Sequence, residues 1–230
     1  MARIIVAILG MLAAAGGAHA DTIAIIGTGD VGGALGPAFA RQGHTIVYGS
    51  REPDRNKVRE LVERTGAGTS AALPADAAAQ ADIVVLAVPG LLVEEITRSL
   101  GDLSGKIIID PTNPLQRRMT RLEHAVETSN AQIIQQAAPD AHVVKAFNTL
   151  NWKTMADPDS ADGPVSIPLA GNNGGAKKKV AELVAGMGLE PIDVGNVEDA
   201  HWVEGMLILW INNRYGSLRP SFDYHLRRED

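Results

Sequence analysis

From Thr22 onward, short aliphatic runs alternate with stretches of helical periodicity. Thr22–Ile26, Thr45–Tyr48, Ile83–Val88, Lys106–Asp110, His142–Ala146, Val165–Ala170 and Leu189–Val194 read as strands. Between them, Val31–Gln42 places Val31, Leu35, Ala38 and Phe39 on one helical face, and Asp54–Thr65 does the same with Val58, Leu61 and Val62. Pro74–Gln80, Leu92–Leu100, Asn130–Ala138 and Ala176–Met187 predict further helices, and a long final helix runs from Glu198 to Tyr215. Residues 66–70 form a turn with room for a very short strand. The stretch 111–129 reads as a loop through Pro111, Pro114 and Arg117-Arg118 before Leu122–Val126.

Strands and helices alternating at this density imply an α/β fold with a mostly parallel sheet covered on both faces, because parallel neighbours need crossover helices. The apolar run 83–88 fits a strand buried on both sides. In such sheets ligands sit beyond the carboxyl ends of the strands, where the strand order reverses. Chemistry is therefore expected just after Ile26, Tyr48, Val88, Asp110 and Ala146.

At the first of these ends stands Gly27-Thr28-Gly29-Asp30-Val31-Gly32, directly between a strand and a helix. That placement is what a dinucleotide loop requires. Gly27 permits the tight turn, Gly29 lets backbone approach a pyrophosphate, and Gly32 lets the helix pack closely on the strand. The helix N-terminus then offers N–H groups to phosphate. The fold expected is thus a Rossmann-type, doubly wound sheet with a short C-terminal helical extension. At the second end, Val47-Tyr48-Gly49-Ser50-Arg51 lacks the acid that holds a free ribose 2′-hydroxyl. Ser50 and the fixed guanidinium fork of Arg51, joined by Arg55, suit a 2′-phosphate and point to NADP(H). Val88-Pro89 is expected beside the nicotinamide ribose, and Thr112, Asn113, Asn148 and Thr149 around the ring.

Composition narrows the chemistry. The 230 residues suffice for one domain with a small appendage, and the formal net charge of -6 argues against a nucleic-acid partner. With no cysteine, thiol nucleophiles and thiolate metal sites are excluded. The six histidines have no spacing suited to a metal site or a catalytic triad, so no catalytic or metal-ligating residue is expected, although His201 can face the pocket. Lys177-Lys178-Lys179 reads as a solvated helix face.

Arg3, the apolar run Ile4–Ala15 and the small residues Ala18-His19-Ala20 follow the order of a secretory signal peptide, too short for a membrane span. Residues 1–20 are therefore expected to be a signal, 21–195 the NADP-binding domain, and 196–230 a helix and tail packed on it. Export to a periplasmic or external compartment follows, and cytoplasmic residence if the segment does not act. Export conflicts with a cofactor whose free pool is cytoplasmic.

Across 22–226 the sequence resembles the NADPH:coenzyme F420 oxidoreductases and their wider relatives. The resemblance rests on Ile25 to Gly32, Tyr48-Gly49-Ser50-Arg51, Val88-Pro89, Asp110-Pro111-Thr112-Asn113-Pro114-Leu115, Lys145-Ala146-Phe147-Asn148-Thr149 and the block from Val203-Glu204-Gly205 to Leu209-Trp210-Ile211. It implies that Thr28, Ser50, Arg51 and Arg55 hold the 2′-phosphate and that backbone near Ala146 holds the nicotinamide carboxamide. It also implies direct hydride transfer to a small-molecule redox acceptor, coenzyme F420 or a flavin, with no integral membrane role. The alternative readings are a non-catalytic NADPH-binding or sensor protein, and an NADPH-dependent reductase of another small acceptor, a metal-reduction chain included. Trp202, Met206, Leu209 and Trp210 recur at helical spacing, which suits core packing, an acceptor wall or a homodimer contact.

Overall fold

Ile23 to Ile26 are buried on both faces, as a central strand must be. They belong to β1 (Thr22–Ile26) in the computed structural model, which describes residues 20–118, 120–214 and 222–227. The expected signal segment, up to residue 19, lies outside the described residues. After β1 come α1 (Asp30–Arg41), β2 (Thr45–Gly49), α2 (Asn56–Thr65), β3 (Ser70–Ala72), α3 (Pro74–Gln80), β4 (Ile83–Leu86), α4 (Val93–Ser99) and β5 (Ile107–Asp110). Then follow β6 (Leu115–Arg118), β7 (Arg121–His124), α5 (Asn130–Ala137), β8 (His142–Lys145), α6 (Trp152–Ala156), β9 (Ser166–Ala170), α7 (Gly174–Gly186), β10 (Glu190–Gly195) and α8 (Ala200–Arg214).

The main sheet runs β10-β9-β8-β5-β4-β1-β2-β3. From β3 to β8 every pairing is parallel, and the order is that of a doubly wound dinucleotide fold with β8 as its sixth strand. Beyond it β9 meets β8 antiparallel at one pair, Lys145 with Ala170, and β10 lies parallel to β9. The strand order reverses between β1 and β4, which places the ligand crevice above their carboxyl ends. Alternate residues of β1 feed two cores. Ile23 and Ile25 join Leu35, Phe39 and Tyr48 on one face, while Ala24 and Ile26 join Val84 and Leu86 on the other.

The stretch read as a loop contains a two-stranded antiparallel hairpin, β6–β7, with Leu115 opposite His124 and Arg118 opposite Arg121. Its strands carry too few apolar residues to register as a buried-strand pattern. The short third strand begins at Ser70, at the end of the stretch expected to hold it, and extends to Ala72. Residues 222–227 lie along β9, where Ser166 N–H donates to the Tyr224 carbonyl at 2.9 Å and Tyr224 Oη donates to the Met206 carbonyl at 2.7 Å.

The contact between α1 and β2 is set by a missing side chain. A Cβ on Gly36 would lie 1.9 Å from the Tyr48 hydroxyl. Tyr48 has no freedom to retreat, being fully buried and hydrogen-bonded to Thr65 Oγ1 at 2.9 Å. Gly36→Ala is therefore expected to cost about 1–3 kcal/mol through overpacking, despite the higher helix propensity of alanine. Urea denaturation measures this, and a neutral or stabilising result would contradict the contact.

Candidate active site

A groove of about 530 Å³ opens at the reversal point. Its floor is the turn from β1 to α1, and the three glycines there do different work. Gly27 has φ +111°, and a Cβ on it would lie 2.1 Å from the Ala87 carbonyl. A Cβ on Gly32 would lie 2.1 Å from the Gly27 carbonyl. Both are demanded by the packing of the protein itself. Gly29 is not: a Cβ there would meet nothing within 4 Å, and the residue lines the groove. Its smallness keeps space above the loop open. Gly29 also caps α1 without a side-chain hydrogen bond, which leaves that helix's first N–H groups available to an anion.

Thr28, Ser50, Arg51, Arg55, Val88 and Pro89 line the same groove. Arg51 and Arg55 are exposed, and neither has a carboxylate partner among the described residues. Ser50 Oγ accepts the Glu52 N–H at 3.2 Å, and its own proton stays free to donate. Pro74, Leu92 and Ile96 give the groove an apolar wall, so a cationic end, an N–H-rich turn and an apolar slot share one cavity. Donors and shape fit a phosphorylated dinucleotide. Asp30, Val31 and Gly32 form the first turn of α1 behind the groove.

The remaining expected residues sit deeper, beside the groove. The Ala146 N–H is spent on the Asp110 carbonyl at 3.1 Å, and Ala146 is fully buried. Asn148 Nδ2 donates to Asn113 Oδ1 at 3.0 Å and to the Val203 carbonyl at 3.1 Å, while Asn113 Nδ2 donates to the Asn148 carbonyl at 3.2 Å. These asparagines thus clamp the ends of β5 and β8 to α8. Asn148 Oδ1 and Thr149 Oγ1 are left buried without a partner. Between them and Ala146, Phe147 holds φ +65°, an uncommon conformation for a bulky residue, with its ring buried edge-on to Phe39. His201 turns away, its Nδ1 2.6 Å from the Thr128 carbonyl and its ring against His124 and Trp202. Lys177 and Lys179 are not merely solvated, since they pair with Asp193 and Asp21, both at 2.8 Å.

Sequence reasoning missed the charged cluster beneath these strand ends. Lys145 Nζ, fully buried, donates to Asp110 Oδ2 and Glu204 Oε1, both at 2.6 Å, and to the Thr112 carbonyl at 2.7 Å. All three ammonium protons are used, so Lys145 has none left for proton transfer. Glu204 also accepts the Asn130 N–H at 2.9 Å and meets His124 Nε2 at 2.6 Å. His124 Nδ1 lies 2.6 Å from the Val126 carbonyl, so both ring nitrogens face acceptors and the doubly protonated ring satisfies both. Accordingly, the hydrogen bond to Glu204 raises the His124 pKa against the opposing effect of burial. Burial disfavours the Glu204 carboxylate, but Lys145, His124 and the Asn130 N–H outweigh it and hold its pKa below the usual value. Burial dominates at Asp110 and pushes its pKa up, with Lys145 opposing. The signal that betrays the cluster is Glu204, a lone acid within the apolar run Trp202–Ile211.

With this geometry in view, known proteins give the family. The model of the family described as NADP oxidoreductase, coenzyme F420-dependent, matches residues 22–114. The F420-dependent NADP reductase of Methanothermobacter thermautotrophicus is 30% identical over 209 residues, covering 83% of this chain and 88% of that protein. The chain belongs to the family of F420-dependent NADP oxidoreductases. A solved structure from Arthrobacter sp. FB24, assigned as an F420-dependent NADP reductase, superposes with a TM-score of 0.80 at 34% identity, covering 90% of this chain and 99% of that one. Metalloreductase STEAP3 of Rattus norvegicus is 30% identical over 191 residues, 82% of this chain. The chain spans only about a third of that protein's length, 36%.

The cluster yields two expectations. Lys145→Met leaves Asp110 and Glu204 buried without their shared cation and is expected to cost about 3–5 kcal/mol, read by chemical denaturation. A loss below about 1 kcal/mol would show that the carboxylates are satisfied elsewhere. His124 has a raised folded pKa, so its stabilisation is complete below the unfolded value near 6.5 and disappears as pH rises through the folded value. Melting curves from about pH 6 to pH 9 should show the wild type losing its advantage over His124→Gln. A constant difference across that range would mean that His124 is not protonated in the fold.

Proposed function

We propose that this chain binds NADP(H) in the groove and passes hydride between it and a deazaflavin or flavin-type acceptor. The observation that carries the proposal is the groove itself, where an open Gly29 and an uncapped helix N-terminus stand beside two unpaired arginines. When bound, the nicotinamide supplies the hydride. The chain's own groups bind and orient. The first turn of α1 meets the pyrophosphate, Ser50, Arg51 and Arg55 take the 2′-phosphate, and Pro74, Leu92 and Ile96 shelter the adenine. Thr28 joins the phosphate set, and Val88-Pro89 borders the ribose.

Hydride transfer between stacked rings relies on position more than on an acid or base. The fully committed Lys145 and its anchored partners serve that end by fixing the strand ends. F420 is favoured as acceptor because two curated relatives that match this chain over most of their length are named F420-dependent NADP reductases. A flavin, or a metal reduced through a further redox group, is the second reading, favoured by the likeness to a metalloreductase.

Two measurements test the proposal. Purified protein mixed with NADPH and F420 should bleach the deazaflavin's visible absorption. NADPH binding without turnover on F420 or any flavin would leave a sensor. Arg51→Ala should weaken NADP(H) binding by about 1.5–3 kcal/mol, the worth of a charge-assisted phosphate contact, and leave NAD(H) binding nearly unchanged. Equal losses for both cofactors would remove the 2′-phosphate assignment.

A further inference from the structure

We propose that the β6–β7 hairpin is an anion-binding arm, which holds a phosphate or carboxylate side chain of the hydride acceptor outside the cofactor groove. The inference rests on the hydride-transfer reading above and adds to it the class of acceptor.

Arg117, Arg118 and Arg121 are all exposed, in a chain of net charge -6. Arg118 and Arg121 stand directly opposite each other on one face, an arrangement in which like charges repel and weaken the pairing. A single carboxylate answers them, Glu123 at 3.7 Å from Arg118, with both side chains substantially exposed. Arg117 and Arg121 have no partner among the described residues. A two-stranded ribbon is marginal in water by itself, and this one carries an added repulsion. It is nevertheless held firmly in place. Asn212 on α8 accepts the Leu122 N–H at 2.9 Å and donates to the Leu122 carbonyl at 2.7 Å. The Ala125 N–H closes on the Pro114 carbonyl at 2.7 Å, and His124 is locked to Glu204. Anchoring unbalanced positive charge on a fixed frame costs stability, and an anionic ligand would recover it.

Position names the ligand. The hairpin begins two residues after Asn113, whose carbonyl fits so closely against Gly90 that a Cβ there would lie 2.0 Å from it. Gly90 follows Val88 and Pro89 of the groove wall. Arg117 and Arg118 therefore lie within about 13–17 Å of Asn113, the length of the extended chain between them. A ring at the strand ends with an anionic tail of that reach would meet them. F420, a deazaflavin whose side chain carries a phosphodiester and carboxylates, has this form. Flavin mononucleotide ends in one phosphate on a shorter arm.

The test is a binding titration of the full chain saturated with NADP⁺, using F420, its neutral deazaflavin ring bearing only the polyol side chain, flavin mononucleotide and riboflavin. The variant is Arg118→Ala combined with Arg121→Ala, the pair that shares one face of the ribbon. For F420 we expect the double variant to bind about 10- to 100-fold more weakly and with a shallower salt dependence, while the neutral ring and NADP⁺ bind as before. Flavin mononucleotide losing affinity alongside F420 assigns phosphate as the recognised group, and a loss confined to F420 assigns the carboxylates. Unchanged F420 affinity, or equal loss for F420 and the neutral ring, overturns the arm. NADP⁺ binding with no affinity for any ring overturns the acceptor reading itself, and the arm with it.

Discussion

A lysine ammonium buried between two carboxylates governs the carboxyl edge of this sheet. Lys145 at the end of β8 reaches Asp110 at the end of β5 and Glu204 on α8, so one cation joins two neighbouring strands to the final helix. Removing three charges from water is expensive, and only close geometry with full hydrogen bonding offsets it. Here the geometry is close and the bonding nearly full. With His124 protonated, two cationic side chains stand against two carboxyl groups within a few ångströms. Such a cluster is better suited to fixing positions than to moving protons.

What depends on it is spatial order at the place where a reaction between rings would occur. Asn113 and Asn148 hold each other and the Val203 carbonyl, Asn130 bridges Thr112 and the Gly90 carbonyl, and Phe147 accepts an unfavourable backbone angle between them. None of these groups gains from mobility. The hairpin continues the same lattice outward through Asn212 and His124, so α8 braces both the strand ends and the ribbon beyond them. The other face of α8 leaves Trp202 73% and Leu209 66% exposed.

The fold was legible because strand runs and helical periods are local properties. The floor and the cationic end of the groove were legible for a related reason. Gly27 to Gly32 and Ser50 to Arg55 act within a few residues of one another, and their spacing survives without knowledge of the tertiary structure. The charged cluster did not yield to sequence, because its members come from positions 110, 124, 145 and 204 and meet only through topology. Asn113 and Asn148 were placed at the right strand ends, yet their amides are turned largely to one another, a choice made by packing. The hairpin escaped because its strands are polar and take their stability from α8 instead of from an apolar face.

The three glycines of the loop carry a consequence for how variation in this protein should be read. Gly27 and Gly32 are required by the chain's own atoms, so replacing either is a folding lesion that any abundance or solubility screen would register. Gly29 borders empty space, and a side chain there would leave the folded state intact. Its intolerance, if the groove holds a pyrophosphate, would appear only as lost occupancy. One turn of chain thus separates two kinds of genetic damage, and a catalogue built on stability alone would record Gly29 as free to change.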